Sequence, residues 1–521
     1  MSREEHTEQF HVPNIKLRLA WEGVLVGLFA GVCITLLRLC LGFVASRRSH
    51  MVAFLQQLPL SYVLFWVVGL VVLGYVIAAL VHWSPIAGGS GIPQIRAIVL
   101  GLDKSPHWLR VIIVKLVGTS LGIGAGLSIG REGPSVQIGG MAGQGISRLF
   151  AKTNLEERSL ISSGAGAGLA AAFNAPLAGV MFTMEAIHKN LSAMVMVPTL
   201  MASISATILV HGVFGRDTVF AIPKMSLLPV QYLPQLIGLG LFTGLVGVLF
   251  NKGSLNMGRF YNLPIFRSLG MRIAFPLLLT IPLTYLLPEV LGAGDPVIEA
   301  MVDLKGTVSF ALLILVVKMV FTLFSTGSGT PGGSLQPMLV FGALCGGMYG
   351  NLAVALGILP PEYRLHMVVF AMAGLFTGCV RAPVTGVLLL LELTGRFYHL
   401  VPLGIVSMAA YAAGELCHNI PIFDAALLAS LKKDAQQKEA MDVPANQGIL
   451  EIPIEEGSPA EGVALEELKL PGNAVVVSVR RGDLELAHLK GTRLLSGDYI
   501  YILPNKAKVV DLTDMFKCKD E

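Results

Sequence analysis

Residues 171–186 read AAFNAPLAGVMFTMEA, and residues 377–393 read TGCVRAPVTGVLLLLEL. Both contain Ala-Pro-x-x-Gly-Val-x4-Glu, as Ala175, Pro176, Gly179, Val180 and Glu185 against Ala382, Pro383, Gly386, Val387 and Glu392, 207 residues apart. A second match, Pro134-x4-Gly139 against Pro337-x4-Gly342, lies upstream at a spacing of 203. Ala-Pro-x-x-Gly alone marks close helix packing, because small residues let membrane helices approach one another. Packing does not account for two matches in the same order at nearly one spacing, so the chain is duplicated. Two membrane halves of this size place a substrate site between them, near the midplane, where helices are broken.

The halves are read as membrane halves because the 521-residue chain is 54% hydrophobic and only 14% charged, outside the usual range of soluble domains. Segments 59–83 and 232–250 are uncharged and long enough to cross a hydrocarbon core as helices. Many other apolar runs are interrupted by Gly, Pro or one charge, which lipid tolerates only where the broken backbone faces protein or a wet cavity. The expected body is a bundle of more than a dozen whole and broken helices. Charge is concentrated at the end: 28 Asp, Glu, Lys or Arg fall in the last 90 residues. A membrane body therefore carries a polar tail.

The first residues, MSREEHTEQFHVPNIKLR, lack the basic lead and short apolar core of a cleavable signal. Lys16 and Arg18 before the first apolar run, and Lys432 and Lys433 after the last, put both termini in the cytoplasm by the positive-inside bias. Six cysteines without CxxC spacing indicate neither a disulfide frame nor a zinc site. A net charge of +4 is too weak in a membrane protein to argue for nucleic acid. No nucleophile with a partnered base, metal-spaced cluster or phosphate loop is present, so an enzyme is not indicated, and no cofactor is expected. A cation transporter would want several inward carboxylates or carbonyl rings.

Three segments share a grammar instead: GGSGIP (88–93), GREGP (130–134) and GSGTPGGSLQP (327–337). Each is a Gly-rich bend ending in Pro beside an apolar run. Such bends free backbone N–H groups at helix starts, whose partial positive charge binds an anion without a fully charged side chain. The site favours a small anion that must enter and leave. Arg131 and Glu132 are adjacent at a helix start, where neighbouring side chains diverge and pair poorly. Intramembrane charges mark ion paths by default. A glutamate at an anion-binding helix start mimics the anion, so Glu132 is read as a gate that occupies the site when ionised and leaves it when protonated. Lys115, the only charge between Val111 and Gly130, either raises the potential along the path or snorkels to an interface.

With GSGIP, GREGP and GSGTPGG in that order, the chain from about residue 20 to 430 resembles the CLC family of chloride channels and chloride/proton exchangers. The resemblance implies an all-α polytopic membrane fold of two inverted repeats with broken helices, a homodimer, and one anion pathway per subunit. It implies that Ser90 of GSGIP, with Gly91 and Ile92, lines the central chloride site, that Glu132, flanked by Arg131 and Gly133, is the external gate, and that the amides of Ser334 and Leu335 hold the anion. Serine within GSGIP points to chloride rather than fluoride. Two positions depart from the family pattern: Ala186 follows Glu185 where exchangers carry an internal proton glutamate, and Phe423 replaces a tyrosine that donates to the central chloride. Protons then cross through Glu132 with Glu185 or water substituting inside, or coupling is lost and chloride flows passively.

The expected domains are a cytoplasmic segment 1–18, a membrane domain 19–431 with halves near 19–215 and 230–431, a linker 432–446, and a regulatory domain 447–521. The tail shows a short amphipathic helix in VALEELKL, a Pro-Gly-Asn turn, a β-branched run, a Gly-Asp turn and an alternating YIYIL strand. This small α/β pattern resembles the TrkA-C (RCK C-terminal) domain. The resemblance implies either a ligand such as cyclic di-AMP or another nucleotide, or a plain dimerisation module. Arg480 and Arg481 are candidates for meeting phosphate, or are solvated on a hairpin turn. The expected partners are chloride, protons, lipid and a second copy, in a bacterial cell membrane.

Overall fold

A computed structural model describes residues 13–57, 63–103, 106–150, 153–215, 220, 223, 225–303, 307–440, 450–454, 458–468, 470, 474–481, 484–486, 491–503 and 515–516. It divides into two compact units, Met1–Leu427 and Leu428–Glu521.

The first unit is helical. Its first eight helices are α1 (Pro13–Gln57), α2 (Val63–Trp83), α3 (Ile92–Val99), α4 (Trp108–Gly124), α5 (Glu132–Leu149), α6 (Asn154–Phe173), α7 (Pro176–Phe182) and α8 (Ala193–Phe214). The next eight repeat them in order: α9 (Leu233–Tyr261), α10 (Leu269–Leu286), α11 (Asp295–Val302), α12 (Val308–Gly327), α13 (Leu335–Ala355), α14 (Arg364–Val380), α15 (Pro383–Thr394) and α16 (Leu400–Leu416). A last helix, α17, runs from Ile422 to Ala440. It continues through residues 432–440, which the sequence reading placed in a linker, while 441–446 lie outside the described residues. Among the described residues, nine helices are long and apolar enough to cross a membrane.

The duplication extends to backbone detail. Both α3 and α11 are eight residues long and start 203 positions apart, behind N-cap glycines Gly91 (φ 97°) and Gly294 (φ 101°). Only glycine adopts that left-handed conformation without steric cost. Helices α6 and α14 both end on a left-handed non-glycine residue, Asn174 and Arg381. Helices α7 and α15 both open with proline after an alanine that offers no capping side chain. Small residues bring helices together: α5 and α6 cross where Gly139 and Gly164 face each other so closely that a Cβ on either would strike the other's carbonyl.

The second unit contains a four-stranded antiparallel sheet of order β1-β4-β2-β3, with β1 (Leu450–Pro453), β2 (Val475–Arg481), β3 (Leu484–Leu486) and β4 (Tyr499–Leu503). Alternation directs Ile452, Val479, Ile500 and Ile502 into a core with Leu494 and Phe516. The β-branched run and YIYIL form β2 and β4. The expected amphipathic helix is instead a turn: Leu465 N donates to Thr492 O at 2.9 Å and Leu494 N to Val463 O at 3.1 Å, so long-range pairing overrides local helix propensity. The Pro-Gly-Asn turn at 471–473 lies outside the described residues.

Candidate functional site

The two repeats meet through their glycine bends. Gly130 and Gly333 exchange both backbone hydrogen bonds, at 2.6 and 2.8 Å, as an antiparallel pair. Gly89 N donates to Gly329 O at 3.2 Å, and Gly292 N donates to Gly126 O at 2.8 Å. Each of these bonds has a counterpart in which both residues are displaced by 203 positions, while Gly332 N also donates to Gly89 O at 3.0 Å and its equivalent, Ile129 N, turns instead to Leu127 O. A relation that swaps the repeats and swaps them back is a two-fold axis, passing between Gly130 and Gly333. The bends bonded around it launch α3, α5, α11 and α13, so four helix starts converge on one point.

Glu132, the first residue of α5, is fully buried. Its Oε2 accepts the amide of Gln336, in the first turn of α13, at 3.2 Å. The expected amides were those of Ser334 and Leu335; Ser334 is the N-cap of α13 and Leu335 its first, buried residue. The amide that meets the carboxylate is one residue further on. Oε1 of Glu132 has no hydrogen-bond partner among the described residues. It lies 3.9 Å from Arg131 Nε, itself without one. The adjacent pair, expected to diverge, stays within Coulombic reach without forming a hydrogen bond.

Ser90 projects its hydroxyl against Gly133, where a Cβ would lie 2.6 Å from Oγ and 2.7 Å from the Ser90 carbonyl oxygen. That buried hydroxyl has no hydrogen-bond partner among the described residues. Buried polar groups are normally satisfied, because an unmade hydrogen bond costs about 1–3 kcal/mol. Ser90 Oγ beside the helix starts is therefore a donor available to an anion. Gly91 caps α3 and Ile92, its first residue, is buried. The structure thus brings Ser90, Gly91, Ile92, Arg131, Glu132, Gly133, Ser334 and Leu335 into one region.

Lys115 does not snorkel. It is fully buried, and its Nζ donates to Gly89 O at 2.5 Å, bracing the bend that carries Ser90. Sequence reasoning missed its counterpart: Lys318, 203 residues on, is also fully buried and donates to Gly292 O at 3.0 Å and Val290 O at 2.8 Å. The offset already known from the glycine motifs would have found it.

Glu185 and Phe423 belong to a second place, a cavity of about 480 Å³ that they line with Ala186, Arg381 and Glu415. Phe423 is buried edge-on against Phe182 at 6.2 Å, and neighbouring Asp424 is held by both Arg96 and Lys189. Glu185 is not free in that cavity. Its carboxylate accepts the amides of Val384 at 3.1 Å and Thr385 at 2.7 Å and the Thr385 hydroxyl at 2.6 Å, capping α15. Glu392 returns the contact, accepting the amides of Leu177 at 2.9 Å and Ala178 at 2.8 Å at the start of α7. The repeated glutamates thus cap each other's Ala-Pro helices across the two-fold.

In the tail, Arg480 and Arg481 lie on β2 rather than on a hairpin turn. Arg481 makes two 2.8 Å bonds to Asp498, while Arg480 lies over the rings of Tyr499 and Tyr501 at 4.8 and 5.9 Å. Burial alone would raise the Asp498 carboxyl, but the Arg481 hydrogen bond and charge and the Leu495 amide outweigh it and hold the group below its ordinary value.

Residues 73–415 match the family model described as voltage gated chloride channel, and residues 449–517 match the TrkA-C domain. The chain is 33% identical over 442 residues to the H(+)/Cl(-) exchange transporter ClcA of Vibrio vulnificus, covering 81% of this chain and 91% of that protein. It is 34% identical over 401 residues to the transporter of the same name from Salmonella gallinarum, covering 75% and 83%. Among solved structures it is similar to a slow cyanobacterial Cl-/H+ antiporter, at 29% identity and a TM-score of 0.73, covering 80% of this chain and 98% of that one. It is also similar to a CLC-type fluoride/proton antiporter, at 26% identity and a TM-score of 0.65, covering 78% and 97%. Two repeats joined around a buried glutamate, a family match over most of the membrane body and relatives matched over nearly their whole length lead to one assignment: the chain is a multi-span membrane protein of the voltage-gated chloride channel (CLC) family, with a TrkA-C domain at its C-terminal end.

Proposed function

We propose that this protein exchanges chloride for protons across a bacterial cell membrane, with Glu132 as the gate. The observation that carries the reading is the buried Glu132 carboxylate seated on the Gln336 amide at the start of α13, beside the unpartnered hydroxyl of Ser90. Ionised, the carboxylate holds the seat that an anion would take. Protonated, it loses the charge that the helix starts favour and vacates the seat for chloride. Ser90 Oγ and the amides at the α13 start donate to the anion. Lys115 and Lys318 hold the bends from behind and add positive potential without touching the ion.

On the inner side, the carboxylate missing at Ala186 is not replaced by Glu185, whose oxygens are engaged by α15. The cavity at Ala186 and Phe423 is large enough for water, and water there carries the proton between the cytoplasm and Glu132. The same missing carboxylate favours a second reading, a passive chloride channel. The relatives named as exchangers favour the first. The subunit works as a homodimer with both termini cytoplasmic, and the Arg480–Tyr499–Tyr501 face of the tail offers cation–π and stacking chemistry to a nucleotide such as cyclic di-AMP.

The test uses proteoliposomes under a chloride gradient. Uphill proton movement coupled to chloride efflux is expected, and its absence would leave the channel. Glu132→Gln should abolish proton movement and flatten the pH dependence of chloride flux. If Glu132→Gln alters neither, the gate is misassigned.

A further inference from the structure

The two-fold axis that relates Gly89 to Gly292 also relates Ser90-Gly91-Ile92-Pro93 to Ala293-Gly294-Asp295-Pro296. The second repeat thus carries a copy of the anion bend, GAGDP, with the hydroxyl deleted and a carboxylate introduced. Because the axis swaps the repeats, the two bends flank the Gly130–Gly333 pair from opposite sides. With the N-terminus cytoplasmic, Ser90 lies on the inner side of Glu132 and Asp295 on the outer side.

Asp295 is joined to Glu132 through a single residue. Gln336 gives its backbone amide to Glu132 Oε2 at 3.2 Å and its side-chain amide to Asp295 Oδ1 at 2.5 Å. Gln336 occupies the position equivalent to Gly133, whose missing side chain leaves room for Ser90 in the first repeat. The corresponding space in the second repeat is filled by a glutamine tied to a fixed negative charge.

Two nearby cations offset part of that charge. Lys318 of α12 and Arg48 of α1 both lie within Coulombic reach of Asp295. Both are committed to backbone carbonyls: Lys318 to Val290 and Gly292, and Arg48 to Ile123 at 3.4 Å. Glu289, just before α11, and Glu299, one turn along it, are exposed. At Glu132 the facing cation is Arg131, with Arg38 of α1 acting on Arg131 from behind. Arg131 and Asp295 both lie within Coulombic reach of Glu132 with opposite signs, Arg131 the stronger of the two.

We propose that Asp295 is a positioning residue for the gate: it pins Gln336 across the outer side of the seat, and its charge draws the outer proton onto Glu132. Two carboxylates linked through one residue are costly when both are ionised, so the fixed charge of Asp295 favours the protonated form of Glu132. The bond made is Glu132 O–H and the bond broken is one O–H of a hydronium ion at the outer mouth, which is left as water. This deepens the proposed Glu132 gate and rests on it.

The experiment is chloride flux from proteoliposomes as a function of outer pH. Asp295→Asn keeps an acceptor for Gln336 and removes only the charge. Its half-maximal pH should move to more acidic values by roughly half to one pH unit. Asp295→Glu should stay near wild type, Asp295→Ala should repeat the shift should the Asn protein fail to fold, and adding Asp295→Asn to Glu132→Gln should add nothing. A profile for Asp295→Asn or Asp295→Ala that superimposes on wild type overturns the proposal. Proton movement in the wild-type protein is read separately: its absence removes the exchange reading, while the pH profile of chloride flux still tests Asp295.

Discussion

The reciprocal glutamate caps make a prediction that separates bracing from proton transport. Glu185 receives three hydrogen bonds, two from the amides that start α15 and one from the Thr385 hydroxyl. A hydrogen bond to a charged group contributes about 1.5–3 kcal/mol, and the lower end applies because Glu185 and Val384 are partly exposed. Glu185→Gln retains one acceptor oxygen, turns the other into a donor that faces an amide N–H, and removes the charge that favours a helix start. The loss should be about 2–3 kcal/mol, read as a lowered midpoint of unfolding in mixed micelles. Glu392→Gln, which gives up two bonds rather than three, should cost slightly less. The H+/Cl- coupling ratio of folded, reconstituted Glu185→Gln should match wild type, because the carboxylate is already fully engaged. A variant of unchanged stability whose proton movement collapses would refute this reasoning and restore Glu185 to the proton path.

Two further outcomes follow from the inner cavity and the tail. Phe423→Tyr adds one hydroxyl to the inner cavity that Phe423 lines with Ala186 and, on the reading that chloride passes this cavity, should tighten chloride binding by about 0.5–1.5 kcal/mol, roughly 2- to 12-fold in Kd by titration calorimetry; an unchanged Kd would mean that Phe423 does not face the anion. Asp498→Asn removes the buried partner of Arg481, which is itself 42% exposed, and should destabilise the tail by about 1–2 kcal/mol, seen as faster proteolytic release of the tail from the full-length protein. Because the Asp498 carboxyl is held below its ordinary value, the pair's stabilisation is complete above that value and is lost as pH falls beneath it, so proteolytic resistance should not change between pH 7 and 5.

How much of this was legible in the sequence depends on what kind of signal carried it. The glycine bends and the Ala-Pro repeat announced themselves because backbone geometry restricts residue type: no other residue sits easily at Gly91 or Gly294, and proline opens α7 and α15. Glu132 stood out because a charge between glycines in an apolar chain needs a reason. Gln336 and Asp295 escaped notice because each is unremarkable in its own segment and acquires meaning only through the other and through Glu132. Lys318 was hidden differently: a lone lysine in an apolar helix has several uses, and only the two-fold partner that braces Gly89 identifies this one. Glu185 carried a real signal, an intramembrane carboxylate, but the amides of the opposite repeat that it accepts could not be seen in its own segment. In the tail, VALEELKL has helical spacing, but residues 463–465 are paired with 492–494 across the fold, a contact that no local window contains.

The scaffold is symmetric where backbone meets backbone and asymmetric where chemistry is done. The bonds through Gly89 and Gly292, the lysines at 115 and 318 and the caps at 185 and 392 all obey the two-fold, and each fixes a helix start against its partner. At the proposed anion seat the pairing breaks: Glu132 corresponds to Leu335, Ser90 to Ala293, Gly133 to Gln336 and Ile92 to Asp295. A perfect two-fold would present the ion with two equal glutamates and two equal hydroxyls, and nothing would distinguish proton from anion or one side from the other. On the proposed reading, one carboxylate that moves, a neutral donor on one flank and a fixed carboxylate on the other give the two faces different affinities for the same two ions. The symmetric frame lets that difference arise from four side chains without disturbing the bends that hold them.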